Sequence, residues 1–237
     1  MPDPAPSEAP SVPSSDVISV EWEGHVAHVW LDRPDALNAM GPDFFDDLPA
    51  IMTALGDASS VRCIVIGARG PAFSAGLDLK TMGMDVLQPD TDASPVRNRQ
   101  SLLEKIRYMQ DAMTAVDACP KPVIAAIHGA CIGGGVDLAT ACDIRLAASD
   151  AVFSVRETRL AMVADLGTLQ RLPRILSDGH VAELVYTGKD VPAARARDIG
   201  LVNDVHDGVD ALHESARAMA EQIAANSPLA VQGAKSV

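Results

Sequence analysis

The first part of the chain alternates apolar and polar residues in a way that favours a β-hairpin. The segment from Val17 to Leu31 alternates about Glu23 and Gly24, and places Ile18, Val20 and Trp22 on one face. Residues 42–56 begin with a proline and carry apolar side chains at helical spacing. We therefore expect an antiparallel strand pair followed by a helix that covers it.

Short apolar runs and helical periodicities alternate along the rest of the chain. Strands are predicted at 63–66, 121–127, 144–146, 152–155 and 201–205, with 144–146 and 152–155 as a pair. Helices are predicted at 100–117, from the triple glycine to Cys142, and at 168–176, 178–187, 192–198 and 207–225. This order predicts an α/β layered fold.

Two segments interrupt the pattern. Residues 1–16 are rich in Pro, Ser and Ala and lack both the Arg of a transit peptide and the apolar stretch of a signal peptide. They are expected to be a disordered leader. Residues 84–98 form a polar insertion of a length typical of lids or disordered loops.

Composition excludes several classes of protein. Hydrophobic residues make up 48% of the 237 residues, but no run approaches the roughly 18 that a membrane-spanning helix needs. The net charge of −13 and the lack of a basic stripe argue against a nucleic-acid partner. The four cysteines contain no CxxC pair and predict a reduced, cytoplasmic protein. A polyanionic ligand would need a local cluster of cations or N–H groups.

Two glycine-rich loops are the first candidates for chemistry. Gly133, Gly134 and Gly135 join the strand at 121–127 to the next helix, and a helix start with exposed N–H groups suits an anion. The same glycines could merely close a tight connection, and taken alone the two interpretations are about equal. The loop at 72–80 follows another strand and can add a second N–H, which makes an oxyanion hole.

Several motifs in order resemble the enoyl-CoA hydratase/isomerase (crotonase) superfamily. They are DRPDALNA, SAGLDL, the triple glycine with an acid two residues later, ACDIRLA and TLQRLP, and the resemblance covers residues 17–237. It implies a crotonase-like α/β spiral of ββα units at 17–190. A C-terminal helical part at 191–237 follows, apparently shortened. It also implies a homotrimer or homohexamer.

The resemblance assigns the ligand-binding residues. The two oxyanion donors fall on the backbone N–H groups of Leu77 and Gly134, and the substrate is implied to be an acyl-CoA. Coenzyme A is then part of the substrate, and neither a separate cofactor nor a metal is expected. The implied substrate-binding residues are Arg33, Ala36, Leu37, Ala75, Gly76, Leu77, Asp78, Leu79, Lys80, Gly133 and Gly135.

Three acids distinguish between members of the superfamily. The hydratases resemble one another in having two glutamates, whereas this chain has Asp137 at the first position, Glu157 at the second and an additional Asp165. This set is similar to the Δ3,5-Δ2,4-dienoyl-CoA isomerases. The resemblance implies a 1,5 proton shift, with Asp165 acting at C2, Glu157 at C6 and Asp137 in support. Three acids in one apolar pocket should titrate as a coupled set.

Alternative interpretations remain open at this point. A 2-enoyl-CoA hydratase is the first rival, and a CoA-thioester-binding paralogue without turnover is the second. Cys131 with His128 suggests a thiol nucleophile, but no orienting third group is evident, and a small apolar pocket residue is the preferred interpretation. His25 and His28 are a poor metal pair because they point to opposite faces of a strand.

Overall fold

A computed structural model describes residues 10–82 and 93–237. Residues 1–9 of the predicted leader and residues 84–92 of the predicted insertion lie outside the described part. Within the rest of the leader, the Ser15 hydroxyl accepts hydrogen bonds from the N–H groups of Val17 and Ile18. Val12 packs against the core, so this end of the leader contacts the folded chain.

The elements follow the predicted alternation of strands and helices. The strands are β1 (Ile18–Glu23), β2 (Val26–Leu31), β3 (Cys63–Ala68), β4 (Val123–Ile127), β5 (Ala130–Ile132), β6 (Ile144–Ala148), β7 (Val152–Ser154), β8 (Val191–Pro192) and β9 (Asp204–His206). The helices are α1 (Pro42–Asp57), α2 (Pro95–Asp117), α3 (Gly134–Ala141), α4 (Thr168–Ile175), α5 (Asp178–Thr187), α6 (Ala193–Asp198), α7 (Val209–Ala224) and α8 (Pro228–Ser236).

The larger sheet has six strands in the order β1-β2-β3-β4-β6-β9. The β1–β2 pair is the predicted hairpin, which turns at Gly24 with a φ of 57°. The remaining neighbours are parallel. Strands β3 and β4 are buried along their whole length, as expected for parallel strands covered on both faces.

Helices cover both faces of this sheet. On one face, α7 packs small side chains and Leu212 against residues that include Val65, Ile124 and Leu146. On the other face, the alternate strand residues join α1, α2 and α3 in the main core, which includes Phe45. The layered α/β fold predicted from the sequence is therefore confirmed.

The predicted pairing of 144–146 with 152–155 is wrong. β6 lies between β4 and β9 in the larger sheet, whereas β7 joins β5 and β8 in a separate three-stranded sheet. The short link at residues 149–151 suggested a hairpin, but β6 aligns parallel to β4, and the chain then leaves the sheet. The second sheet matters because β5 and β7 lead directly into the candidate site.

Other differences concern the ends of elements. Helix α2 begins at Pro95, five residues before its predicted start, because the Ser94 hydroxyl caps it by accepting from the Arg97 N–H. The strand predicted at 201–205 lies at 204–206, and the last helix was not predicted. Residues 191–237 also supply β8 and β9 to the two sheets.

In the part of the chain that the structure describes, no helix is long and apolar enough to cross a membrane.

Candidate active site

Three chain segments run side by side to form the site. β5 pairs with β7 in parallel, with Ile132 opposite Ser154, so the residues that follow each strand emerge together. On the other side of β5, Ser74 is bridged to Cys131 and exchanges main-chain hydrogen bonds with Ala130 and Ile132. This arrangement brings the 75–80 loop, the triple glycine and the segment that carries Glu157 to one place.

The two predicted oxyanion donors lie on adjacent loops. Gly134 is the first residue of α3. Its main-chain nitrogen would lie 3.2 Å from a Cβ added to Gly76, so the two loops are in close contact. The main-chain groups of Gly76 and Asp78 bond to Met40 at 2.8 and 2.9 Å, which leaves the N–H of Leu77 between them. Within the described residues, neither donor N–H serves in a loop or side-chain hydrogen bond. Both are therefore available to a ligand oxygen.

Glycine is required at position 76 by conformation and by space. Its φ is +89°, and an added Cβ would lie 2.6 Å from the main-chain oxygen of Ile132. The close approach of the two loops therefore depends on the missing side chain.

Asp137 is fully buried in the first turn of α3 and is held by α4. Its Oδ1 accepts a hydrogen bond of 2.7 Å from the main-chain N–H of Thr168, the first residue of that helix. Burial raises the pKa of Asp137 to about 6, although the hydrogen bonds from Thr168 and the charge of Arg171 oppose the rise. One carboxylate oxygen is thus already used in holding two helices together.

Glu157 lies next to the triple glycine. Its Oε1 would be 3.3 Å from a Cβ placed on Gly133, and its Oε2 is buried without a hydrogen-bond partner in the described chain. Burial, and then the charge of Asp137, raise the pKa of Glu157 to about 7. This carboxyl group can therefore exist in both protonation states near neutral pH.

Asp165 stands in the loop that precedes α4. Its side chain is partly buried, and this burial raises its pKa above the ordinary value. Asp165 faces the same cavity as Glu157 and Asp137. The structure thus brings together the three acids that the sequence singled out.

Two connected cavities meet at the predicted donors. The inner cavity, of about 350 Å³, contains all three acids and is otherwise lined mainly by apolar side chains. The outer cavity, of about 380 Å³, contains Glu157 but neither aspartate. Leu77, Gly134, Glu157 and Met162 line both. The donors therefore lie where the two cavities meet, with Arg156 and Arg159 on the outer side and the two aspartates on the inner side.

The residues predicted to bind the nucleotide end of the ligand are close to one another, but two of them are paired. The Arg33 guanidinium donates to the Asp78 carboxylate at 2.7 Å. Burial alone would raise the pKa of Asp78, but Arg33 and the N–H groups of Lys80 and Thr81 hold it below its usual value. Ala75, Gly76, Leu77, Leu79, Gly133 and Gly134 line the outer cavity. The Lys80 side chain is exposed, as is Leu37, whereas Ala36 is partly buried and Gly135 packs on Ser74.

Several lining residues were not found from the sequence. Arg156 and Arg159 flank Glu157 and line the outer cavity. Their placement on both sides of a candidate acid was the signal that could have identified them. Leu102, Ile106 and Met109 of α2 line the inner cavity, and helical spacing alone does not distinguish such a cavity wall from a core face. The thiol of Cys131 is fully buried and its pKa is raised well above its usual value, which argues against a nucleophile.

Comparisons with known proteins agree with this geometry. Residues 21–237 match the enoyl-CoA hydratase/isomerase family. The chain belongs to this family. It is 43% identical over 222 residues to the peroxisomal Delta(3,5)-Delta(2,4)-dienoyl-CoA isomerase of Arabidopsis thaliana. This match covers 94% of the present chain and 80% of the Arabidopsis protein. It is 40% identical to the mitochondrial enzyme of that name from Homo sapiens, covering 96% of this chain and 70% of that protein.

Solved structures of the enoyl-CoA hydratase/isomerase family share the fold. An enoyl-CoA hydratase from Bacillus anthracis superposes with a TM-score of 0.82 at 34% identity, covering 93% of this chain and 81% of that one. A putative enoyl-CoA hydratase from Streptomyces coelicolor has a TM-score of 0.85 at 32% identity, covering 100% and 82%. The predicted crotonase-type fold is confirmed.

The predicted cytoplasmic location is contradicted by the names of these family members, which are peroxisomal or mitochondrial. The prediction rested on four cysteines without a disulfide pattern. All four are indeed free and buried. Free thiols indicate only that no disulfide is needed for the fold, so they do not distinguish one reducing compartment from another.

Proposed function

We propose that this protein is an isomerase that converts a 3,5-dienoyl-CoA into a 2,4-dienoyl-CoA. The observation that carries the proposal is the inner cavity, where Glu157 and Asp165 both have a raised pKa and lie beside two free main-chain donors. Relatives that are 40–44% identical over most of the chain bear the name of this activity, which supports the same conclusion.

The reaction needs a base near C2 and an acid near C6. With the thioester oxygen between the N–H groups of Leu77 and Gly134, loss of a C2 proton spreads negative charge from that oxygen to C4 and C6. Protonation at C6 then leaves double bonds at C2 and C4, so no proton is gained or lost overall. Main-chain donors stabilise the oxyanion by several kcal/mol in a dry site.

The order of the cavities favours Glu157 at C2 and Asp165 at C6. Glu157 lies beside Gly133 and lines both cavities, next to the donors, whereas Asp165 lines only the inner one. C2 is bonded to the carbon that bears the oxyanion, and C6 is four carbons further along the chain. The assignment from sequence, with Asp165 at C2 and Glu157 at C6, is therefore reversed in this proposal.

Asp137 supports the other two acids in this scheme. Because its Oδ1 accepts from Thr168, it has little freedom to hold a water at C3, as a hydratase requires. Its negative charge raises the pKa of Glu157, which brings that base closer to the operating pH. This arrangement favours isomerisation over hydration.

The outer cavity suits the coenzyme A part of the substrate. Arg159 adds positive charge at its wall, Arg156 lies beside it in an ion pair with Asp190, and Arg33 holds the 75–80 loop through Asp78. The implied contacts at Ala36, Leu37 and Lys80 border the same region. No further cofactor is required by the chemistry, because the proposed step moves one proton between carbons and two carboxyl groups. Activity should therefore survive exhaustive dialysis against a chelator.

We further propose a homotrimer or homohexamer. Leu102, Leu160 and Val163 line the cavities yet are 40%, 49% and 64% exposed in the single chain. Such an apolar rim is typical of a surface that another chain covers. Light scattering coupled to gel filtration tests this proposal, and a monomer at micromolar concentration would contradict it.

A chromatographic assay of the purified protein separates the candidate functions. The proposal predicts conversion of a 3,5-dienoyl-CoA to the 2,4-isomer, with a bell-shaped dependence of kcat/KM on pH. Rapid formation of a 3-hydroxyacyl-CoA from a 2-enoyl-CoA would favour the hydratase instead. Tight acyl-CoA binding with neither product would favour a binding protein without turnover.

A further inference from the structure

Helix α2 contributes both to the inner cavity and to the support of Asp165. Leu102, Ile106 and Met109 project from it into that cavity, and Met109 is only 3% exposed. The next residue, Gln110, donates from its side-chain nitrogen to the main-chain oxygen of Asp165 at 2.6 Å. Fifty-five positions in sequence separate this donor from its acceptor.

The loop that carries Asp165 has little regular structure of its own, although Ala164 and Leu166 on either side of Asp165 are buried in the core. It begins after Ala161, which has a φ of 57°, and ends at Gly167, which has a φ of 124°. Neither residue is in a regular helical or extended conformation, so the loop is not positioned by a ladder of hydrogen bonds. Its attachment to neighbouring elements must determine where the carboxyl group lies.

A second attachment leads to the same face of α2. Arg171 of α4 donates to the main-chain oxygen of Leu166 at 3.4 Å and pairs with Asp117 at 3.2 Å. Asp117 lies seven residues, or about two turns, after Gln110, so both anchors lie on one side of the helix. The hydrogen bond from Gln110 is the shorter and acts on Asp165 directly.

We infer that Gln110 is a positioning residue that sets the reach of the Asp165 carboxyl group toward the distal carbon of the substrate. Helix α2 also lines the inner cavity, which is proposed to hold the acyl group of the substrate. The hydrogen bond from Gln110 therefore fixes the position of Asp165 relative to the wall on which that acyl group would pack. Proton transfer is sensitive to such distances, since a displacement of about 1 Å costs on the order of 10²-fold in rate. The inference rests on the function proposed above.

The test compares Gln110→Met with Gln110→Glu on a 3,5-dienoyl-CoA. Methionine keeps the length of the side chain without a donor, and an ionised glutamate keeps the shape but only accepts. We expect kcat to fall by about tenfold in both variants, with KM within about twofold. A looser Asp165 is better solvated, so its pKa falls, and the limb of the pH–rate profile that Asp165 controls should move to lower pH.

Gln100→Met provides a matched control on the same helix, because the Gln100 side chain makes an exposed hydrogen bond to Glu104. It should keep wild-type kcat and the same pH profile. If the wild type isomerises the substrate but Gln110→Met and Gln110→Glu retain its kcat and pH limbs, the inference is wrong and the proposed function stands. An equal loss of kcat and folded fraction, measured by circular dichroism, would also overturn it. If the wild type does not isomerise, the proposed function itself fails.

Discussion

The inner cavity of the candidate site and a third cavity, here called the far cavity, lie on opposite sides of the larger sheet. The two differ in how they hold carboxylates. The far cavity, about 600 Å³ in volume, lies between the β1–β2 hairpin and α7. Its carboxylates are exposed, and Glu21 and Glu23 are paired with Arg69 and Arg217. In the smaller inner cavity the acids are buried, and Glu157 has an unpartnered oxygen. The larger cavity is therefore the less reactive one.

The histidines of the far cavity illustrate the same difference. Burial lowers the pKa of His28 and His213, and Trp30 packs between their rings. The lowered pKa values favour the neutral form of both rings, and His28 stacks on Trp30 whereas His213 meets Trp30 edge-on. Burial acts on carboxyl groups in the opposite direction and brings Glu157 toward a pKa useful for acid–base chemistry. The comparison teaches that convergent donors and shifted protonation equilibria, rather than volume, mark the site.

The largest expected effect comes from changing one carboxylate in each cavity to an amide. Glu157→Gln should lower kcat on a 3,5-dienoyl-CoA by about 10²–10⁴-fold, the usual contribution of a general acid or base. Glu214→Gln makes the same chemical change in the far cavity and should stay within about twofold of wild type. Steady-state kinetics measure both. Equal losses in the two variants would abolish the distinction between the cavities.

A methyl group placed between the donors should have the next largest effect. The Cβ of Gly134→Ala would lie 3.6 Å from the Leu77 nitrogen, in the space proposed for the thioester oxygen, and 3.1 Å from the Met40 sulfur. We expect a loss of about 10²-fold in kcat/KM. Gly179→Ala is the control, since nothing lies within 4 Å of its added Cβ. Full activity of Gly134→Ala would rule out this oxyanion site.

The buried acid should also make the protein less stable as the pH rises. The folded-state pKa of Glu157, about 7, lies above its ordinary value of 4.5, so the stabilisation is complete below pH 4.5 and is lost as the pH rises through 7. At pH 8, Glu157→Gln should therefore raise the free energy of unfolding by about 3 kcal/mol over wild type. Urea unfolding measures this difference. A gain as large at pH 4 would contradict the titration argument.

The smallest effect is expected at the ion pair beside the outer cavity. Arg33→Met leaves the Asp78 carboxylate, whose side chain is 7% exposed, without its cation. KM should rise by about fivefold with little change in kcat, because one lost charge-assisted hydrogen bond costs about 1 kcal/mol when its partner is half exposed. Arg217→Met, at the far cavity, should leave KM unaltered. A larger change in kcat than in KM would assign Arg33 a different role.

Local periodicity was sufficient to predict much of the fold. The hairpin and α1 were predicted from patterns that span fewer than twenty residues, and the structure has them within one residue of those bounds. The partners of β7 were not predictable in this way, because they lie at Ala130–Ile132 and Val191–Pro192. Strand pairing across such separations leaves no periodic signal in the sequence.

The candidate site shows the same division between local and distant information. Spaced motifs identified the three acids and the two donor positions, which the structure brings together. Physical pattern alone would have treated Asp137 as a helix cap. In the structure its carboxylate does accept the first N–H of a helix, α4, which begins 31 residues later. The Gln110–Asp165 contact was invisible because no sequence motif links the two residues.

The donors of Leu77 and Gly134 have an evolutionary consequence because both are main-chain groups. No replacement other than proline deletes either N–H, so the capacity to stabilise a thioester enolate is inherited with the backbone. Diversification within such a scaffold can then proceed by exchanging a few carboxyl-bearing residues. A single nucleotide change is enough to replace such a residue by its amide, or Asp by Glu. New activities would arise while the pair of converging N–H groups, which depends on the whole fold, stays as it is.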